Sequence, residues 1–481
     1  MSVATKPAPV ASLSPAPAPT APAGGMVPAP TLAPWPTPRR LRAALAAVSL
    51  AASLLFVAVF FGVRQHAHAV KTVGHDAAPS IIAAERIKAA LADMDANVAN
   101  ELIAKPGQDK ESTEGYEKRR QELSLGLIAA AENITYGDSE RVPIQTINFN
   151  LGTYESKVAQ ARLLHGRGGD SAVLTTYSDA SRLMQNTILP AADALEKANN
   201  DALEQTYSRQ AVLSSATTTL IWVVGLLLLA ALVATQVFLS RRTHRVFSLP
   251  LLAATALAVL FLLFTTARLG AASRDLKAAK EDAFDSVYAL WHARAVAYNA
   301  NADESRWLID RAHARDYETD FHQAADKVAA LPPGYSYEMT VSECQTGDVK
   351  NVPNTFTGFL ATELRNITFP GEKDAAVQTL SAWGKYVGID GQIRALQNGG
   401  QHGDAVALCT GGGPDQSNGV YQTFDDALGR TLAINQSEFD KDVIQSAADL
   451  ALLPVLAPLA MLAVALLAWM GIHARLREYS A

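Results

Sequence analysis

Charged side chains are scarce in this chain. Only 18% of its 481 residues are Asp, Glu, Lys or Arg, whereas 49% are hydrophobic. A composition of this kind indicates a membrane protein before any motif is considered. The formal net charge is only −6, and no basic patch with interleaved aromatic residues occurs. Nucleic acid is therefore not among the expected partners.

The chain also lacks the sequence signatures of common catalytic sites. It has no glycine-rich phosphate loop between a strand and a helix, no Walker lysine, no kinase signature and no nucleophile elbow. The stretch "CTGGGPDQSNG" has no strand before it and is interpreted as a loop. His66, His68, His75 and Asp76 could hold a metal, but their spacing does not fix the side chains around one point. We therefore predict no enzyme and no bound cofactor or metal.

Long apolar runs, by contrast, are abundant. Four stretches are each about long enough to cross a ~30 Å hydrocarbon core as a helix: 41–63, 211–239, 247–268 and 450–472. Lys and Arg are concentrated before the first stretch, between the second and third, and after the fourth. Because basic residues accumulate on the cytoplasmic side, we predict a multi-pass protein of the plasma membrane, embedded in lipid, with both termini in the cytoplasm.

The spans divide the remaining residues into five segments. These are a cytoplasmic tail (1–40), a first outer domain (64–210), a cytoplasmic loop (240–246), a second outer domain (269–449) and a second cytoplasmic tail (473–481). The first tail is rich in Pro and Ala and is predicted to be disordered. The first span could instead be a cleaved signal peptide, but its apolar core is longer than such peptides use, which favours an anchor.

Ionisable residues are absent from the centre of every span, which argues against a transporter or channel, since ion pathways normally need such groups. The cytoplasmic segments are also too short for a kinase, a cyclase or a signal-converting coiled coil. A signal received outside must therefore be passed to another protein.

Only two cysteines occur, Cys344 and Cys409, and both belong to the second outer domain. In an oxidising exterior they are predicted to form one disulfide, worth about 4 kcal/mol by the chain-entropy estimate. The alternative is two free or buried thiols.

Both outer domains have helical periodicity, and strand-like alternation is hard to find. Apolar residues recur at spacings of three and four in two long stripes: Ile87, Leu91, Met94, Val98 and Leu102, then Phe284, Tyr288, Trp291, Ala295 and Tyr298. We predict an all-α fold in which two tandem extracytoplasmic four-helix bundles stand on four transmembrane helices. The first and last helix of each bundle should continue into the membrane.

The two outer domains share a repeated pattern. "YESKVAQAR" begins at Tyr154 and ends at Arg162, and "YVGIDGQIR" begins at Tyr386 and ends at Arg394. A glycine-rich turn and an aspartate follow each arginine, at Asp170 and Asp404. The tyrosines fall on an apolar helix face and are expected in the core. The arginines fall at its margin, where they pair with a carboxylate or with a ligand. These six residues are the candidates for a ligand, partner or structural role.

The stretches "YESKVAQARLLHGRGGDSAVLTTYSDASRLMQNTILPAADAL" and "WGKYVGIDGQIRALQNGGQHGDAVAL", together with the layout, resemble the actinobacterial membrane proteins called GlnX. The resemblance implies two helical sensor bundles on four membrane helices. It also implies two partners: an extracytoplasmic amino-acid-binding lipoprotein and the soluble Ser/Thr kinase G. It assigns no ligand residues.

Two functions remain open. The first is a transmembrane sensor that relays amino-acid availability from a solute-binding lipoprotein to a cytoplasmic Ser/Thr kinase, with Pro190 as a candidate hinge because proline removes a helix hydrogen bond. The second is a structural or assembly protein whose bundles dock envelope proteins. The sequence does not specify the oligomeric state.

Overall fold

The computed structural model describes residues 37–168, 170–243, 248–347 and 353–478. Most of the predicted Pro/Ala-rich tail lies outside these residues, as do parts of the predicted loop 240–246 and the last three positions of the chain. The first helix begins at Thr37, four residues before the predicted start of the first span at position 41.

The described residues of the first half form six α-helices and two π-helical turns. In chain order they are α1 (Thr37–Lys71), π1 (Thr72–Ala77), α2 (Ala78–Ile103), α3 (Lys110–Glu132), α4 (Asp138–His165), α5 (Asp170–Leu183), π2 (Met184–Ile188) and α6 (Leu189–Thr243).

The described residues of the second half form nine α-helices and one π-helical turn. They are α7 (Leu249–Lys277), π3 (Ala278–Phe284), α8 (Asp285–Ile309), α9 (Ala314–Ala329), α10 (Tyr337–Thr346), α11 (Phe359–Arg365), α12 (Glu372–Asn398), α13 (His402–Thr410), α14 (Ser417–Leu450) and α15 (Leu453–Glu478). Extended pairing in the described part of the chain is limited to one isolated bridge between Ala330 and Thr357. The predicted all-α class is confirmed.

Four helical stretches are long and apolar enough to cross a membrane: Pro38–Ile103, Ser171–Arg241, Leu249–Ile309 and Ser417–Arg477. They are 61 to 71 residues long, about three times the ~20 residues that a single span needs, so each one extends well beyond its candidate span into a helix of a predicted outer domain. The helices thus run from each candidate span into the neighbouring domain, and the four stretches are consistent with a multi-pass membrane protein.

The four candidate membrane segments belong to α1, α6, α7 and α15, which pack together and share one cluster of buried apolar residues. Small residues allow close approach, as Gly225 of α6 illustrates: a Cβ there would lie 2.8 Å from a methyl carbon of Leu262. Large apolar side chains such as Phe61 point outward, as expected of helices that face lipid.

The helices of the two predicted outer domains share one continuous hydrophobic cluster, which we call the outer core. It includes buried residues from α2 to α6 and from α8 to α14. Its centre is the pair α2 and α8, which pack directly against each other. Both helices are rich in alanine and buried around most of their circumference, so their backbones can approach closely. Two separate tandem four-helix bundles are therefore not confirmed.

Two of the π turns are each followed by a proline. Pro79 lies two residues after π1 and Pro190 two residues after π2. A proline in a helix offers no N–H to the carbonyl four residues earlier and its ring collides with that carbonyl. Those carbonyls belong to His75 and Asn186, which lie inside the π turns. The wider turn accommodates the proline, and the helix continues on both sides.

Candidate functional site

Tyr154 lies in a buried polar network that joins the two halves. Its hydroxyl donates a hydrogen bond to Asp95 Oδ1 at 3.1 Å, and Asp95 also accepts a bond from Arg306 of the second half. Arg306 bonds Asp303 at 2.5 Å and the Tyr177 hydroxyl at 3.2 Å. All five side chains are buried. We call them the inter-half network.

Burial determines the electrostatics of this network. The pKa of Asp303 is raised to about 6 because burial penalises its charged form, although Arg306 partly opposes the shift. Burial likewise raises the pKa of Tyr154, so its hydroxyl stays protonated and donates to Asp95. Tyr154 is thus a core residue, as predicted, and its hydroxyl already has a partner within the protein.

The two repeated arginines are placed alike. Arg162 pairs with Glu101, with Nη2 at 2.7 Å from the carboxylate, and lies over the ring of Tyr116 at 4.4 Å. Arg394 makes two bonds to Asp390, at 2.7 and 2.8 Å, and lies 4.7 Å from the ring of Trp307. Since each guanidinium has a carboxylate and an aromatic face, the carboxylate-pairing alternative accounts for both.

The other repeat residues do not converge on one point. Tyr386 is fully buried among the rings of Trp383 and Tyr421. Asp404 is exposed at the start of α13 and accepts a bond from Gln401 at 3.1 Å. The side chain of Asp170 lies outside the described residues. Neither Tyr386 nor Asp404 lines the cleft between the halves.

The predicted disulfide between Cys344 and Cys409 is wrong, because both thiols are free and buried. Cys409 lies 3.4 Å from the Ser305 hydroxyl and 3.5 Å from a Glu304 oxygen, so its partners are on α8. Cys344 lies on α10, which packs against α12. Counting cysteines could not show that they face different helices.

A cleft of about 1220 Å³ lies between the halves. We call it the inter-half cleft. Its walls are α2 and α3 on one side and α8 and α14 on the other. The residues that line the cleft include Pro79, Arg86, Arg119, Leu125, Trp291, Arg294, Tyr298 and Phe439.

Three arginines and two aromatic rings line one region of this cleft. Arg294 makes a bidentate pair with Asp425, both bonds at 2.6 Å, and Arg119 bonds Asp93 and the Tyr298 hydroxyl. Burial raises the pKa of Asp93 to about 6 despite Arg119. These contacts hold two of the guanidinium groups in fixed positions beside the opening.

Arg86 differs from its neighbours. It is exposed, it lies over the Trp291 ring at 5.5 Å, and no carboxylate pairs with it in the described part of the chain. The same ring has Arg294 at 5.3 Å. A planar, exposed cation held over an aromatic face is suited to binding a carboxylate from outside.

Sequence reasoning did not find this cleft. Trp291 and Tyr298 belong to a stripe predicted as bundle core, and only the half-burial of Trp291 distinguishes it from a core residue. Arg86 and Arg119 are separated from Arg294 by most of the first half, so no local spacing connects them.

Comparison with known proteins supports a sensor role for this chain. Residues 69–208 match the family model described as an actinobacterial sensor domain, a segment that runs from the end of α1 into α6. No curated protein and no solved structure matches the chain. The match supports an actinobacterial sensor protein, and the fold adds four candidate membrane helices to it.

Proposed function

We propose that this protein is a transmembrane relay. An extracytoplasmic signal, amino-acid availability presented by a solute-binding lipoprotein, changes the outer core, and a cytoplasmic Ser/Thr kinase detects the change inside. The observation that carries the proposal is the continuity of four helices, 61 to 71 residues each, from the outer core through the apolar spans. A small shift in such a helix at one end has to appear at the other.

The inter-half cleft is the proposed docking site. Pockets for small ligands usually measure about 300–1,000 Å³ and enclose most of the ligand. This cleft is larger, at about 1220 Å³, and open, which suits a loop of a partner protein better than a free amino acid. Arg86 is the proposed anchor for an acidic side chain of that loop.

A path from the cleft to the membrane is available. Pro79 lines the cleft directly after the π1 turn. On the opposite wall, Phe439 packs against Phe284 at the end of π3, with ring centroids 5.8 Å apart. π turns inside α-helices are rare and frequently occur at functional sites. Occupancy of the cleft would therefore act on the turns that connect the outer core to the spans.

Site-specific photocrosslinking in living cells tests the docking site. A photoreactive amino acid replaces Leu125, which is 69% exposed at the cleft, and in a control chain it replaces Phe149, which is 82% exposed on α4 outside the cleft. We expect the Leu125 position to capture a lipoprotein with a solute-binding domain, identified by mass spectrometry, and Arg86→Gln to abolish that capture. Arg311→Gln is the matched control, because Arg311 is an exposed arginine 4.1 Å from the Trp307 ring outside the cleft.

The relay itself is tested by coupling. The affinity of the kinase for the full chain in lipid nanodiscs is measured with and without the captured lipoprotein outside. Coupled sites usually change each other's affinity by about 5- to 150-fold. An unchanged kinase affinity would overturn the relay even if the lipoprotein binds.

A structural or assembly role is the second candidate. It is favoured by apolar side chains exposed on α3 and α4, among them Ile128, Val142 and Phe149, since such surfaces often mark protein interfaces. Capture of envelope proteins at Phe149 with none at Leu125 would support this role instead.

A further inference from the structure

A second cluster of chemically reactive side chains lies between the halves, and the proposed relay makes no use of it. It consists of Glu85 on α2, Glu196 on α6 and His292 on α8. His292 Nε2 is 3.5 Å from Glu85 Oε1 and 4.0 Å from Glu196 Oε2. Each residue offers one ligand atom, and these atoms all lie within 4.8 Å of one another. Among the described residues, this is the one group of three or more His, Cys, Asp or Glu side chains so arranged.

Glu85 has no hydrogen-bond partner of its own. Its side chain is fully buried, and neither carboxylate oxygen forms a hydrogen bond with any described residue. An unpartnered buried carboxylate costs several kcal/mol, as a charge or as an unsatisfied polar group, so its presence requires a compensating partner.

The nearby lysine does not supply that partner. Lys88 Nζ pairs with Asp193 at 2.5 Å, one turn along α2 from Glu85. This pair is neutral as a unit. When both are deprotonated, Glu85 and Glu196 present two negative charges beside a histidine, and a divalent cation would balance them.

His292 is oriented as a metal ligand. Its Nδ1 lies 3.1 Å from the backbone carbonyl oxygen of Tyr288, which can only accept, so Nδ1 carries the hydrogen. Nε2 therefore directs its lone pair toward the two carboxylates. Tyr288 also donates its hydroxyl to Glu196 Oε1 at 2.7 Å and so positions a second ligand. Metal sites are typically supported in this way by a second layer of hydrogen bonds.

We propose that Glu85, Glu196 and His292 form a binding site for one divalent transition-metal ion, with Zn²⁺ as the best match. One imidazole nitrogen and two carboxylate oxygens are ligands that Zn²⁺ accepts, whereas Mg²⁺ and Ca²⁺ select all-oxygen sites. Bonds of about 2.0–2.2 Å require the ligand atoms to approach one another slightly more closely than they do here. The ion would connect α2 and α6 of the first half to α8 of the second.

The first experiment measures Zn²⁺ binding by the full chain, purified without a histidine tag, treated with chelator and dialysed. We expect one equivalent of Zn²⁺ per chain and a higher thermal midpoint with Zn²⁺ than with Mg²⁺. Glu85→Gln and His292→Gln should each weaken binding at least about tenfold. Glu363→Gln is the matched control, because Glu363 is also fully buried, but Asn435 donates a hydrogen bond to it and it belongs to no metal-ligating group with a described histidine.

Two outcomes would overturn the proposal. Binding below about a tenth of an equivalent would show that the site holds no metal, and binding that persists in both ligand variants would show adventitious Zn²⁺ elsewhere. X-ray absorption of the Zn²⁺-loaded wild-type protein decides the ligand set even if a variant does not fold. One imidazole with oxygen neighbours supports the site, and sulfur or several imidazoles contradict it.

Discussion

Replacing Arg306 by methionine should weaken the contact between the two halves and lower the free energy of unfolding. The guanidinium compensates Asp95 and Asp303 together, and all three side chains are buried. Removing one member of a buried ion pair usually costs about 3–5 kcal/mol because the remaining charge has no partner. Met retains most of the apolar volume of the arginine side chain, so cavity formation adds little. We therefore expect the free energy of unfolding to fall at neutral pH by an amount near the middle of that range.

The pH dependence has a defined sign. Without Arg306, the folded-state pKa of Asp303 should rise beyond its present value of about 6. A carboxylate with a raised folded-state pKa binds more protons in the native state than in the unfolded state. Its favourable contribution is therefore complete at low pH and is lost as pH rises through the folded-state pKa. The free energy of unfolding of the Met variant should be closest to that of the wild type near pH 5 and should differ most from it near pH 8.

The assay is denaturant unfolding of the full chain in detergent, followed by tryptophan fluorescence, since Trp307 and Trp383 lie in the outer core. Arg182→Met is the control, because Arg182 pairs with Asp179 on the exposed surface and such pairs contribute about 0–1 kcal/mol. Combining Arg306→Met with Asp95→Asn and Asp303→Asn should recover much of the loss. Two results would refute the reasoning. One is a loss of unfolding free energy for Arg306→Met that is no larger than the loss for the control, and the other is a loss that is equal at pH 5 and pH 8.

Three further predictions concern other parts of the molecule. Pro190→Ala should change the free energy of unfolding by no more than about 1 kcal/mol, because π2 already accommodates the ring, but should alter the outer-to-inner coupling; unchanged kinase affinity would exclude a hinge here. Cys344 and Cys409 should both react with an alkylating reagent after denaturation without reductant and resist it in the folded protein; an unmodified pair would mean that a disulfide forms after all. Burial raises the pKa of Glu304 to about 8, so the native state holds more protons and stability should fall as pH rises from about 5 to 8; Glu304→Gln should flatten that dependence, and an equal slope in both proteins would contradict the assignment.

Local sequence determined the helices and the spans. A run of about 20 apolar residues has to satisfy its backbone hydrogen bonds internally in lipid, so the four candidate spans follow from composition alone. The stripe from Ile87 to Leu102 predicted a buried helix face, and all five of its members are buried in α2. The Tyr-to-Arg repeat likewise placed Tyr154 and Tyr386 in the core.

The tertiary structure decided which faces meet. Periodicity shows that a helix has a face to bury but not which partner covers that face. Here α2 packs against α8 of the other half rather than only within a separate bundle. This packing brings Arg306 into contact with Asp95, which is 211 positions away in the chain. It also places Arg86 beside Trp291 in one cleft. The same packing brings Glu85, Glu196 and His292 together. It also kept Cys344 and Cys409 unpaired. Each of these contacts depends on packing between distant segments, which no spacing along the chain encodes.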